Sequence, residues 1–347
     1  MSLIENLPQE TMLKIFAFLE PEDLFRCLQV SKSFRRVAED GTLWKKLKIR
    51  DCLNEEVRIP VELIKQALSY GLKHLSIEYL YKFEYPDRNP GKFLGKNNSL
   101  TFPVSQLKSL TFHSQHYAVV KLNQSRVFVA ALLKSCHGLE KLLLPYMNLG
   151  FGFHDLKIFQ SIAQNGGSLK VLHLSCLPSW SHLEQAGLKL IVDNCKQLSE
   201  LVMVSVGEQN ITYFCNNLTP KIQKLAIGTS MSEIDAEILT KRCNNLTSLY
   251  FAQISNQALT IVIKNLSQSL EKIGFMYSNE SLEKFLEFQQ MTKLTHLNLD
   301  LGISESDTPQ KREMKNFFEK RFPKLKVTFT FHIMGAKIYG NRRSFIL

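Results

Sequence analysis

Apolar residues in the first fifty positions recur at helical spacing, between polar residues that favour helix starts. Leu13, Phe16 and Leu19 form, with their apolar neighbours, a stripe wider than one helix face. Pro21 suits the first turn of a second helix, and Ser31 suits the N-cap of a third. The pattern therefore predicts three short helices. Because so short a segment rarely buries enough apolar surface to be stable alone, we expect the surplus stripe to dock on something else.

Farther along the chain, the template Leu-x-x-Leu-x-Leu occurs nine times, with other apolar residues in place of some leucines. The copies begin at residues 72, 107, 139, 169, 198, 222, 246, 270 and 294, and a degenerate tenth copy begins at Leu325. The five starts from 198 to 294 are 24 residues apart, whereas the earlier intervals are 35, 32, 30 and 29 residues. A fixed period indicates a repeat protein, and the longer intervals indicate insertions.

Each copy predicts one strand followed by one helix. The second and third apolar positions are two residues apart and so point to one face of a strand. Between the strands the apolar period becomes helical, as in these three sets: Ile234, Ile238 and Leu239; Leu259, Val262 and Ile263; Leu282, Phe285 and Leu286. The predicted fold class is therefore α/β. About ten such units would stack into a curved solenoid, with a parallel sheet on the concave side and helices outside.

The N-terminal segment, residues 1–50, resembles an F-box. The matching positions are Leu7, Pro8, Glu10, Leu13, Ile15, Phe16, Leu19, Pro21, Asp23, Leu24, Val30, Lys32, Arg35, Leu43 and Trp44. Phe34 departs from the pattern, which usually has Trp there. F-box proteins bind a small Skp adaptor through this module and so tether a substrate to a cullin-RING ubiquitin ligase.

The resemblance, together with the surplus apolar stripe, implies an adaptor-binding surface. We expect that surface to consist of Leu7, Pro8, Leu13, Phe16, Leu24 and Val30. An alternative is that these residues fill a helical core. Trp44 and Val37 look like core residues on either interpretation.

The repeats resemble the cysteine-containing class of leucine-rich repeats, because Cys136, Cys195 and Cys243 each precede the first leucine by three residues. The whole chain thus resembles an F-box/leucine-rich-repeat protein. The implied organisation has four parts: the F-box at 1–50, a connecting or capping segment at 51–71, about ten repeats at 72–334 with an insertion loop at 81–106, and a basic C-terminal tail at 335–347.

Composition supports a large core in a protein of the cytoplasm or nucleus. Hydrophobic residues make up 44% of the 347 positions, and no apolar run approaches the roughly 18 residues of a membrane span. Seven cysteines, an odd number, fall mostly at apolar repeat positions and indicate reduced thiols. The first five residues do not resemble a secretory signal. We therefore expect a cytoplasmic or nuclear location and no membrane contact.

No motif marks an enzyme. The segment 150–152, Gly-Phe-Gly, lacks the residues of a phosphate-binding loop. The pairs His113/His116 and His173/Cys176 have metal-like spacing, but neither has a second pair to complete four ligands. We expect no catalytic residue, no metal and no cofactor.

The formal net charge of +11 is concentrated at two places. Lys and Arg outnumber Asp and Glu by 9 to 3 in residues 81–141 and by 10 to 2 in residues 311–347, whereas residues 142–310 contain 12 against 15. Such asymmetry is typical of contact with acidic peptide, phosphate or nucleic acid. Basic residues that simply solvate the last helix would produce the same pattern.

The outward positions of the predicted sheet include aromatic and apolar residues, which are typical interface anchors. We expect Tyr250, Lys272, Tyr277 and His296 to form the core of a substrate-binding surface. The alternative is that the tail or the 81–106 loop covers this face.

The predicted function is that of a non-catalytic substrate-recognition subunit of an SCF (Skp–cullin–F-box) ubiquitin ligase. Its partners would be the Skp adaptor, the cullin-RING ligase reached through that adaptor, and an unknown protein substrate. Two alternatives are open: an F-box scaffold without a degradative role, and a nucleic-acid or ribonucleoprotein adaptor.

Overall fold

A computed structural model of the chain describes residues 7–52, 61–80, 101–114, 119–144, 153–174, 185–203, 206, 208–276, 282–300 and 309–330. The chain forms two compact units, Met1–Met147 and Asn148–Leu347. The greater part of the predicted insertion loop, the C-terminal tail and Tyr277 lie outside the described residues.

The strands follow one another in chain order within each unit, and every described pairing is parallel. The first unit contains β1 (Lys46–Cys52), β2 (His74–Leu80), β3 (Ser109–Ser114) and β4 (Lys141–Leu144). The second contains β5 (Val171–Leu174), β6 (Glu200–Met203), β7 (Lys224–Met231), β8 (Ser248–Ile254), β9 (Lys272–Met276), β10 (His296–Asp300) and β11 (Lys326–Thr330). The predicted strands at all nine template copies and at the degenerate tenth are confirmed.

Helices precede the first strand, and the described residues show a helix between each later pair of successive strands except β2 and β3. In the first unit they are α1 (Gln9–Phe16), α2 (Pro21–Val30), α3 (Lys32–Ala38), α4 (Val61–Ser69) and α5 (Val119–Ser135). In the second they are α6 (Phe153–Gln164), α7 (Gln185–Asn194), α8 (Glu208–Asn217), α9 (Glu233–Arg242), α10 (Asn256–Leu266), a 3-10 helix at Leu282–Gln290, and α11 (Pro309–Arg321). This strand-and-helix alternation is consistent with a leucine-rich-repeat solenoid.

The strand register explains why the leucine template produces one continuous core in the second unit. Leu225, Leu249, Ile273 and Leu297 are register partners on four successive strands, and all four are buried. A shift of one residue in any strand would turn its apolar side chains toward the outward face, so the pattern fixes the pairing.

The three predicted N-terminal helices are confirmed. Ser31 caps α3, because its hydroxyl oxygen accepts a hydrogen bond from the Phe34 backbone N–H at 3.2 Å. The Phe34 ring meets that of Phe16 edge-on, with centroids 5.3 Å apart. Trp44 is buried, and its indole N–H donates to the Ala38 carbonyl at 2.6 Å.

The strand-and-helix repeat begins earlier than the sequence analysis placed it. Strand β1 starts at Lys46, inside the segment assigned to the F-box, and α4 lies within the segment assigned as a connector. The physical reason is that Leu47 and Ile49 are two residues apart and both buried, so they behave as inward strand positions of a further repeat.

Helix α9 buries Leu239 of its predicted apolar face but leaves Ile234 exposed. Ile234 is 67% exposed, whereas Asp235 is buried. Asp235 forms a capping box with Ser232 and accepts a hydrogen bond from the Thr212 hydroxyl of α8 at 2.7 Å. These polar contacts fix the first turn of α9 and leave Ile234 on the outer side.

Candidate functional site

The predicted adaptor-binding residues divide into two groups. Phe16 and Leu24 are buried among the three N-terminal helices, so both are core residues in this chain and not exposed surface as predicted. Pro8 and Val30 are exposed, and Leu7 and Leu13 are half-buried.

Two exposed apolar residues were missing from the predicted surface. Phe18 is 90% exposed and Ile15 is 43% exposed, while Val30 reaches 63%. Pro8, Thr11, Ile15 and Phe18 are all exposed and follow a 3–4–3 spacing, which places them along one side of α1 and the turn after it. We call these four residues the α1 strip. This exposed side of α1 could have been predicted from the sequence, because the buried Met12 and Phe16 lie at the intervening positions.

In the second unit, the outward face of the sheet presents one aligned row of side chains. Register partners on β6 to β11 define this row, called here the charged row: Glu200, Lys224, Ser248, Lys272, His296 and Lys326. The neighbouring row two residues on contains Val202, Ala226, Tyr250, Gly274, Asn298 and Thr328.

An ion-paired cluster occupies the β5 to β7 part of this face. Glu200 accepts a hydrogen bond from His173 Nε2 at 2.6 Å, and its other carboxylate oxygen lies 3.2 Å from Lys224 Nζ. The hydrogen bond from His173, with the charge of that ring and of Lys224, lowers the pKa of Glu200 to about 2. The carboxylate is therefore ionised at neutral pH and neutralises its neighbours.

We expect Glu200→Gln to destabilise the protein by about 1–2 kcal/mol at pH 7. Because the folded-state pKa is lowered, this stabilisation is present above the ordinary carboxyl pKa of 4.5 and is lost as pH falls toward 2. Melting curves across that range should show the wild-type stability converging on that of the variant. Glu237→Gln, which breaks the exposed pair with Lys241, is the matched control and should change little. Parallel stability curves down to pH 2 would contradict the assignment.

The predicted substrate-binding residues lie around one glycine. A Cβ placed on Gly274 would be 2.6 Å from Cδ2 of Tyr250, so the Tyr250 ring covers this glycine from the adjacent strand. Burial, followed by the charge of Asp300, raises the pKa of the Tyr250 phenol, which therefore stays neutral. Lys272 and His296 are half-buried neighbours in register. The structure thus brings together the three of these four residues that it describes.

Five of the cysteines are free thiols. Cys136, Cys195, Cys215 and Cys243 are buried, and Cys27 is partly buried. Burial raises the pKa of Cys195 to about 12 and that of Cys243 to about 11, which keeps both protonated and unreactive. This arrangement fits the core role predicted for them.

The described residues contain neither a candidate membrane-spanning helix nor a candidate metal cluster. None of their helices combines the length and apolar composition needed to cross a membrane. Within the same ranges, no group of three or more His, Cys, Asp or Glu side chains is arranged to hold a metal ion.

The N-terminal part of the chain is similar to known proteins. Residues 4–50 match the family model described as F-box-like. F-box/LRR-repeat protein 5 of Mus musculus is 50% identical over 44 residues, which are 13% of this chain and 6% of that protein. The Xenopus laevis protein of the same name is 48% identical over 46 residues, covering 13% and 7%. F-box protein dre-1 of Caenorhabditis elegans is 30% identical over 89 residues, covering 26% and 8%.

The matched segments thus span less than a tenth of each of these relatives. The family model covers the residues of the α1 strip, and the repeat architecture follows it in the structure. The chain therefore carries an F-box-like domain at its N-terminus, followed by parallel strands and helices of the leucine-rich-repeat type.

Proposed function

We propose that this chain is a substrate-recognition subunit of an SCF-type ubiquitin ligase in the cytoplasm or nucleus. The α1 strip, with Leu7, Leu13 and Val30, would bind the Skp adaptor, and through it the cullin-RING ligase. The observation that carries the proposal is that Ile15 and Phe18 are both exposed along one side of α1 and its following turn on an F-box-like domain, because grouped exposed apolar side chains mark interaction sites.

The repeats would supply the substrate site on their outward sheet face. Tyr250 is a stiff amphipathic side chain held against Gly274, and such aromatics are frequent interface anchors. The chain would perform no covalent chemistry. It would raise the effective concentration of the substrate near a ubiquitin-charged enzyme.

The decisive test is affinity purification of the full chain and of its Ile15→Ala, Phe18→Ala variant, with and without proteasome inhibition. We expect the Skp adaptor and cullin with the unsubstituted chain alone, and a protein that accumulates with it when the proteasome is inhibited. Absence of the adaptor would refute the F-box assignment. Adaptor capture without any accumulating protein would favour the scaffold role.

A nucleic-acid adaptor is the second candidate, and the charge of the last helix favours it. Lys311, Arg312, Lys315, Lys320 and Arg321 all lie on α11. Binding dominated by phosphate contacts falls steeply with salt, roughly a thousandfold or more between low and physiological ionic strength. Partner binding that persists at high salt would therefore exclude this candidate.

A further inference from the structure

We propose that Lys272, His296 and Lys326 form an anion-binding site for an acidic segment of the substrate protein. We call this set the basic triplet. The inference rests on the proposed function, in that the outward sheet face of the second unit receives the substrate. It adds the chemistry of what is received: a short run of aspartate or glutamate side chains.

The strand register builds the basic triplet. Lys272 on β9 pairs with His296 on β10, and His296 pairs with Lys326 on β11. Adjacent strands are about 4.8 Å apart, so the three side chains arise from a line about 10 Å long. Alternate residues of an extended peptide lie about 7 Å apart on one side, so two or three carboxylates can match this line. A single phosphate group is shorter than this line, so it would not match all three side chains at once.

The same row shows where positive charge is concentrated on these strands. At β6 and β7 the charge is balanced internally, because Glu200 pairs with both Lys224 and His173. Ser248 on β8 is buried and separates that cluster from the basic triplet. The register partners on β9, β10 and β11 are all basic residues, so the charges of Lys272 and Lys326 repel each other and oppose protonation of His296 between them. An acidic ligand would relieve that repulsion.

His296 makes the site responsive to pH. Partial burial, then the positive charges of Lys272 on β9 and Lys326 on β11, lowers the pKa of His296 below its ordinary value. The ring is therefore mostly neutral near pH 7 in the free protein. A carboxylate bound beside it favours the protonated ring, so binding should tighten as pH falls.

Charge also favours an acidic partner over the C-terminal segment of this chain as the ligand of this face. The C-terminal segment of this chain contains Lys337, Arg342 and Arg343 and no acidic residue after Glu319. Like charge therefore disfavours that segment as a cover for the basic triplet. An acidic partner gains from the same charges.

The first experiment measures binding of fluorescein-labelled octaglutamate to the full chain by anisotropy at low salt. We expect Lys272→Glu with Lys326→Glu to weaken binding by about tenfold or more. Lys264→Glu on α10 reverses one exposed charge on the helix layer, as Lys272→Glu alone does on the sheet face, and should change affinity less than twofold. If a melting curve shows that the double glutamate variant is misfolded, Lys272→Gln with Lys326→Gln removes the same two charges more mildly and replaces it.

The second experiment repeats the titration near pH 7.5 and near pH 5.5. We expect the wild type to bind several-fold more tightly at the lower pH, and His296→Gln to remove most of that gain. Tighter binding of octathymidylate or of a singly phosphorylated neutral peptide than of octaglutamate would overturn the proposal. Equal losses in the Lys264→Glu control would also overturn it. Adaptor capture, measured separately, reports on the F-box and should be unchanged in every variant.

Discussion

Replacing Ile15 and Phe18 with alanine is expected to weaken binding of the Skp adaptor by about a thousandfold. Both side chains are exposed in the free chain and lie along one side of α1 and its following turn. Anchors at the centre of an interface cost about 2 kcal/mol each when truncated, and about 4 kcal/mol corresponds to roughly a thousandfold in affinity. Stability should hardly change, because neither side chain is buried. Calorimetric titration of purified adaptor measures the affinity, and a melting curve checks the fold.

Two other exposed apolar residues provide the matched control. Val104 and Ile234 are 77% and 67% exposed and lie outside the F-box-like domain. Their double alanine variant removes comparable apolar surface, yet it should bind the adaptor normally. Phe16→Ala is the converse control, since it should unfold the helices by emptying their core. Normal adaptor affinity in the Ile15/Phe18 variant would move the site to Leu7, Pro8 and Val30.

The repeat architecture could be predicted from the sequence because its physical cause is periodic. Leucine at fixed spacing buries one face of each strand, and neighbouring strands must then align for those faces to coincide. The register of Leu225, Leu249 and Ile273 follows from that requirement alone. The charged row could be predicted for the same reason, since it occupies the residue just before the second template leucine.

The surface of the F-box-like domain was harder to predict, because three short helices in contact bury residues on more than one side. Phe16 and Leu24 matched the family pattern as well as Pro8 did, yet packing buries the first two and exposes the third. Family resemblance marks which positions matter, and it does not separate core from interface.

Contacts between neighbouring repeats account for two details that could not be predicted from the sequence. The buried Asp235 binds the Thr212 hydroxyl on the preceding helix, which sets the rotation of α9 against its apolar pattern. The contact of Tyr250 with Gly274 depends on two strands at once. Neither contact has a period along the chain, so neither leaves a signal in a single sequence.

Trp44 connects the F-box-like helices to the first repeat. Its indole N–H donates to Ala38 at the end of α3, and its ring packs against Tyr70 after α4, with centroids 5.7 Å apart. Trp44, Leu47 and Ile49 also have the spacing of the repeat template, and all three are buried. Trp44 is thus both the last residue that matches the F-box pattern and the first apolar position of a repeat.

Trp44→Ala is therefore expected to destabilise the first unit by about 3–5 kcal/mol, and to expose α1 to α4 to proteolysis together. Trp44→Phe keeps an aromatic ring but leaves the Ala38 carbonyl without its donor, and should cost about 1–2 kcal/mol. Limited proteolysis with mass spectrometry locates the cuts, and chemical denaturation measures the free energy of unfolding. Cuts confined to residues before Trp44, with β1 and α4 still protected, would show that the helices and the first repeat are independent. Cuts on both sides of Trp44 would show that the adaptor-binding helices depend on the repeat for their stability, because β1 holds Leu47 and Ile49 in the same core.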